Sequence, residues 1–110
     1  MAFDEKLANR VRSHLGQRRS LTEKKMFGGV AFLLNGNMCC GVRGDELIVR
    51  IAPEQTDEAL SQRHTRIFDL TGRPMKGWIL VQASGLKTKA ALAKWVGAGV
   101  EYASTLPTKK

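Results

Sequence analysis

Phe3, Leu7, Val11 and Leu15 recur every fourth residue with Ala8 beside them, a spacing that predicts an amphipathic helix from about Asp4 to Arg18. Asp4 and Glu5 suit its N-terminus and Arg18-Arg19 its C-terminus, where the helix dipole favours each sign of charge. The period then changes to two. Met26 to Leu34, Asn37 to Arg43 and Glu46 to Ile51 read as three strands joined by Asn35-Gly36 and Gly44-Asp45, tight turns that make neighbouring strands antiparallel. Pro53 suits a first helical position, so a short acidic helix is predicted from Pro53 to about Gln62. His64 to Asp69 reads as a fourth strand, Thr71 to Pro74 as a turn and Lys76 to Ala83 as a fifth strand. Leu92, Trp95, Gly99, Tyr102 and Leu106 are spaced by threes and fours, predicting a last helix from about Leu86 to Ser104 that ends before Pro107.

The expected fold class is α+β: a two-layer sandwich in the order α-β-β-β-α-β-β-α, with helices on one face of an antiparallel sheet. A chain of 110 residues has room for one domain, here residues 1–110 with a frayed tail at 108–110. The longest apolar run, Val30 to Leu34, is far shorter than the roughly 20 residues of a membrane span. The N-terminus has Asp4 and Glu5 where a signal peptide is basic, and no apolar stretch follows, so a cytoplasmic protein is expected.

The strand pattern bears on partners. Leu47, Val49 and Ile51 share one face of their strand while Ile48 and Arg50 take the other. In the strand before the Asn-Gly turn, Val30, Phe32 and Leu34 oppose Phe27, Ala31 and Leu33, so both faces are apolar. A sheet covered by helices on one side would expose Phe27, Leu33 and Ile48, a patch that marks an interface with a second copy or with another protein. The competing reading is that the chain's own loops cap Phe27 and Leu33. Gly28 and Gly29 inside this strand predict a bulge or a close backbone approach. They are not a nucleotide loop, because a strand pattern follows them and no Gly-Lys-Ser/Thr sequence is present.

An enzyme needs a nucleophile with a base, a carboxylate pair or a metal cluster, and the sequence arranges none. His14 and His64 have no His or Cys at ligand spacing, so no metal or other cofactor is expected. Cys39 and Cys40 are adjacent; strand geometry points them to opposite faces, which disfavours a bond between them and predicts two reduced thiols, with a vicinal redox switch as the competing reading.

The net charge of +8 is uneven: residues 1–25 carry +4, residues 26–58 carry −3 and residues 59–100 carry +6. Segregated basic charge is the footprint of nucleic-acid binding. On that reading Arg18, Arg19, Lys24 and Lys25, with Arg73 and Lys76, are the expected phosphate contacts. No recognition-helix motif accompanies them, and the same residues are also expected as solvated faces. Gly72-Arg73-Pro74 predicts a turn that aims Met75 and Trp78 into the core and leaves Arg73 and Lys76 in water.

Two segments carry a resemblance: Lys25-Met26-Phe27-Gly28-Gly29-Val30-Ala31-Phe32-Leu33-Leu34-Asn35-Gly36-Asn37-Met38-Cys39 and Thr71-Gly72-Arg73-Pro74-Met75-Lys76-Gly77-Trp78. With Gly41-Val42, Leu47 to Arg50, Pro53-Glu54 and a closing helix bearing Trp95, Tyr102 and Leu106-Pro107, they make the chain resemble the N-terminal domain of the TfoX/Sxy competence regulators over nearly its whole length. The resemblance implies a regulatory or adaptor domain that binds another protein; TfoX-like regulators act with the cyclic-AMP receptor protein, a transcription regulator, at promoters of DNA-uptake genes. It also implies a C-terminal helical domain in full-length regulators, whereas this chain stops at Lys110. The apolar sheet face favours protein interaction over nucleic-acid binding, since bulk charge does not discriminate between them.

Overall fold

Asp4 starts the first helix by accepting hydrogen bonds from the backbone N–H groups of Lys6 (2.9 Å) and Leu7 (3.2 Å) on its carboxylate, in the computed structural model, which describes residues 3–16, 20–26, 28–68 and 76–107. The helix, α1, runs Glu5–Leu15 and stops at Gly16, whose φ of +66° takes the chain out of helical geometry. It is shorter than the stretch to Arg18 that the sequence predicts; Arg18 and Arg19 lie outside the described residues. Its predicted stripe of Leu7, Ala8, Val11 and Leu15 is buried.

A strand that the pattern does not predict follows, β1 at Leu21–Met26. The expected strand Met26 to Leu34 is divided: Met26 ends β1, Gly28 at φ +74° stands between strands, and β2 is Gly29–Leu34. Gly28 is therefore part of a turn, and Gly29 opens β2. Gly29 also makes a close approach, because a Cβ there would run into the carbonyl oxygen of Val42. Asn35 (φ 54°) and Gly36 (φ 82°) then form a two-residue turn with both centres left-handed, as Asn-Gly hairpins require. β3 is Asn37–Arg43 and β4 is Glu46–Arg50, joined by Gly44-Asp45 as expected.

The predicted acidic helix is a 3-10 turn at Pro53–Gln55 followed by a short helix α2, Thr56–Leu60. The buried Thr56 hydroxyl donates to the carbonyl of Pro53 (2.7 Å) and accepts from the N–H of Gly77 (2.8 Å), tying this corner to the sheet. β5 is Thr65–Ile67 and β6 is Trp78–Val81, each shorter than expected, and the predicted turn at Thr71 to Pro74 is outside the described residues. The last helix, α3, spans Lys89–Ser104, capped by the Thr88 hydroxyl accepting from the N–H of Ala91 (3.0 Å).

The six strands form one antiparallel sheet in the order β1-β2-β3-β4-β6-β5. The α+β class holds, with the added strand giving the order α-β-β-β-β-α-β-β-α. The main core lies on one face. There Val30, Phe32, Val42, Leu47, Val49, Ile79 and Val81 meet Leu7, Val11 and Leu15 of α1, Ala59 of α2 and Leu92, Trp95 and Val96 of α3. α3 crosses the sheet so closely that a Cβ on Gly99 would collide with the carbonyl oxygen of Cys39.

Candidate interaction surface

The other face of the sheet is assembled by register. Lys24, Ala31, Gly41, Ile48, Leu80 and Arg66 pair in sequence across all six strands, so they form one row with an apolar centre and a cation at each edge. Ala31, Met38, Ile48, Phe68 and Leu80 make a second buried cluster, to which no helix contributes among the described residues, with Leu33 and Trp78 half-buried against it. The expectation that Ile48 stands in water is therefore corrected: it is 0% exposed, enclosed with Phe68, Met38 and Leu80. Leu33 keeps part of its surface. Phe27 lies outside the described residues. Trp78 is half-buried, where a core position is predicted for it.

Of the predicted phosphate contacts, the three among the described residues, Lys24, Lys25 and Lys76, are not brought together. Lys24 and Lys25 are exposed, but as neighbours on the edge strand β1 they take opposite faces. Lys76 is exposed just before β6, on the far side of the sheet from β1. Arg18, Arg19 and Arg73 are outside the described residues. On β1, Glu23 accepts two bonds from the Arg12 guanidinium (2.8 and 2.9 Å), which pushes Arg12 above its ordinary pKa. Arg66 pairs in the same way with Glu46, at 2.8 Å.

A grouping that the sequence does not reveal lies where β4 stops. Arg50 is the last residue of β4 and pairs across the ladder with Trp78, the first of β6. Its guanidinium carbon stands 5.1 Å from the centroid of the Trp78 ring and 5.6 Å from that of Tyr102 on α3. All three side chains are partly exposed, and Trp78 is backed by Phe68 at 6.3 Å between ring centres. Strand alternation places Arg50 on a face; only the docking of α3 brings Tyr102 to it.

Cys39 and Cys40 do not take opposite faces. The β2–β3 register shifts between Phe32 and Leu33, which pair with Cys40 and Met38, so Cys39 is the extra residue of a bulge and both cysteines enter the main core. Their sulfurs lie 3.9 Å apart, and the Cys39 thiol donates to the Phe32 carbonyl at 3.4 Å. Hydrogen bonding with Cys39, then burial, pushes the Cys40 thiol well above its ordinary pKa, which keeps it neutral and a poor nucleophile. His64 (φ 68°) shares a 2.8 Å hydrogen bond with the exposed Ser84 hydroxyl. Among the described residues no group of three His, Cys, Asp or Glu side chains could hold a metal ion, and no helix is long and apolar enough to cross a membrane.

Comparison with curated proteins and with solved structures found no match. The family model of the TfoX N-terminal domain matches residues 13–103, from the end of α1 to the last turn of α3, and so covers every described strand and the close approaches of Gly29 and Gly99. By that match, over most of its length, the chain belongs to the TfoX N-terminal domain family.

Proposed function

We propose that this chain is a small regulatory or adaptor domain that acts by binding another protein through the sheet face turned away from the helices. The observation that carries this reading is the partly exposed rim of Leu33 and Trp78 on a sheet face that, among the described residues, no helix covers. Apolar and aromatic side chains beside water are the material of protein interfaces. Membership of the TfoX N-terminal domain family supports a regulatory role, with competence and transcription as the processes that the family name suggests. Catalysis plays no part in this reading.

Affinity capture from native lysate, with and without nuclease, tests it. Wild-type protein is expected to retain a protein partner after nuclease treatment, and Leu33→Asp to lose that partner while its melting temperature stays close to wild type. Capture that disappears entirely with nuclease transfers the reading to nucleic acid, which the net charge of +8 and the exposed Lys24, Lys25 and Lys76 favour. A chain that retains nothing, or a Leu33→Asp variant that retains the same partner, overturns the proposal.

A further inference from the structure

We infer that Arg50, held between Trp78 and Tyr102, is a carboxylate-recognition site that receives an acidic side chain of the protein partner. The inference rests on the protein-interaction reading and names the chemistry of its anchor. Arginine, tryptophan and tyrosine are the residues that dominate interface energetics, and here three distant parts of the sequence bring one of each to the same end of the sheet.

The guanidinium is fixed before any ligand arrives. Arg50 and Trp78 are opposite residues in the β4–β6 ladder, and the next backbone bond, from the N–H of Ile51 to the carbonyl of Gly77 (2.8 Å), pins the same corner. The two rings hold the guanidinium at 5.1 and 5.6 Å, so little side-chain freedom is left to lose on binding. Its hydrogen-bonding capacity is unspent: among the described residues no carboxylate pairs with it and no acceptor takes its N–H groups, whereas Arg12 and Arg66 each have a glutamate. The two ring contacts place no acceptor on the guanidinium, and its N–H fork matches the two oxygens of a carboxylate.

A carboxylate on a protein is favoured over a nucleic-acid strand by the same geometry. Single-stranded nucleic acid is gripped by bases stacked on open aromatic faces, and here the guanidinium lies over both the Trp78 and the Tyr102 ring. The half-buried Leu33 and Trp78 offer apolar contact to the residues flanking an acid. The surplus of basic side chains over the whole chain, 18 against 10 acidic, draws an acidic partner.

The test is an NMR titration of isotope-labelled protein, following the Arg50 Nε–H and Trp78 Nε1–H signals, with the peptide acetyl-Leu-Asp-Glu-Leu-amide as probe. Its Asn/Gln counterpart and a short oligothymidylate serve as comparisons. The acidic peptide is expected to shift both signals saturably, the neutral peptide to leave them in place, and the oligothymidylate to bind more weakly. Arg50→Lys, which keeps the charge and loses the fork, is expected to weaken the peptide by about tenfold or more with the melting temperature held near wild type. An equal response to the neutral peptide, tighter binding of the oligothymidylate, or unchanged affinity in Arg50→Lys overturns the assignment. A captured protein that binds Arg50→Lys as well as wild type overturns this site and leaves the interaction reading standing. Failure to capture any protein removes that reading, while the titration still decides whether Arg50 receives carboxylates.

Discussion

The two faces of the sheet are built from the same strands and differ in what closes them. On the helix side, α1, α2 and α3 meet an apolar surface from Val30 to Val81, and among the described residues no charged side chain is buried there. On the other side a small cluster around Ile48 and Phe68 is flanked by Lys24, Arg50 and Arg66, and two apolar side chains packed against it, Leu33 and Trp78, stay partly in water. One face is a fold-holding core. The other encloses its centre and leaves part of its rim in water, so rim residues are expected to contribute less to stability than those of the helix side.

Truncation is the strongest way to break the comparison. Phe32→Ala, at a fully buried position of the helix side, is expected to cost about 3 to 5 kcal/mol in chemical denaturation. Trp78→Ala on the rim of the other face should cost less, about 2 to 3 kcal/mol, because part of that side chain already meets solvent. Equal losses would mean that both faces are cores.

A second contrast tests how closely α3 is seated. Gly99→Ala places a methyl against the backbone of Cys39 and is expected to lower stability by about 3 kcal/mol, or the melting temperature by about 12 °C or more. Gly97, two residues away, has open space around it, so Gly97→Ala should raise stability by about 0.5 to 1 kcal/mol through helix propensity. Thermal melts of the two variants should move in opposite directions.

Most of the helix side was legible in the sequence, since a stripe at four-residue spacing and alternating strands each fix a buried set. β1 was not. Leu21-Thr-Glu-Lys-Lys-Met has no alternation of apolar residues because an edge strand with little to bury needs none, and its pairing with β2 is carried by backbone bonds. The bulge at Cys39 was equally hidden, for it arises from a mismatch between two strands and not from the residues of either. Ile48 was placed on the correct face, but what encloses it comes from Phe68 and Met38, distant in sequence. Of the interaction surface, Leu33 could be read from strand alternation; the meeting of Arg50, Trp78 and Tyr102 could not, because it depends on where α3 ends up.

The buried thiols give a pH-dependent test of the helix side. The folded-state pKa of Cys40 is raised, so the stability associated with its neutral form is complete below the unfolded thiol's value near 8.5 and is lost as pH rises from there toward the folded value. One such group changes stability by at most about 1.4 kcal/mol per pH unit. Urea unfolding above and below about pH 8.5 should show the decline, and Cys40→Ala should flatten it. An unaltered slope in the variant would place the effect elsewhere.

The smallest expected effect lies at the rim of α1. Both side chains of the Arg12–Glu23 pair are more than a third exposed, so a double-mutant cycle should give a coupling of about 0.2 to 1 kcal/mol that shrinks in high salt. A larger, salt-insensitive coupling would make this pair a structural clasp between α1 and β1.

The polar composition of β1 has a consequence for the chain in concentrated solution. As the first strand of the sheet, β1 presents an outer row of backbone N–H and C=O groups with no neighbouring strand among the described residues, the template on which chains stack into fibrils. Lys24 and Lys25 place two like charges in the middle of that row, so any second β1 laid alongside brings ammonium groups together and must strip water from them. The same lysines that invite a phosphate-binding interpretation thereby act as guards against aggregation, and a chain with valine at both positions would carry an open adhesive edge.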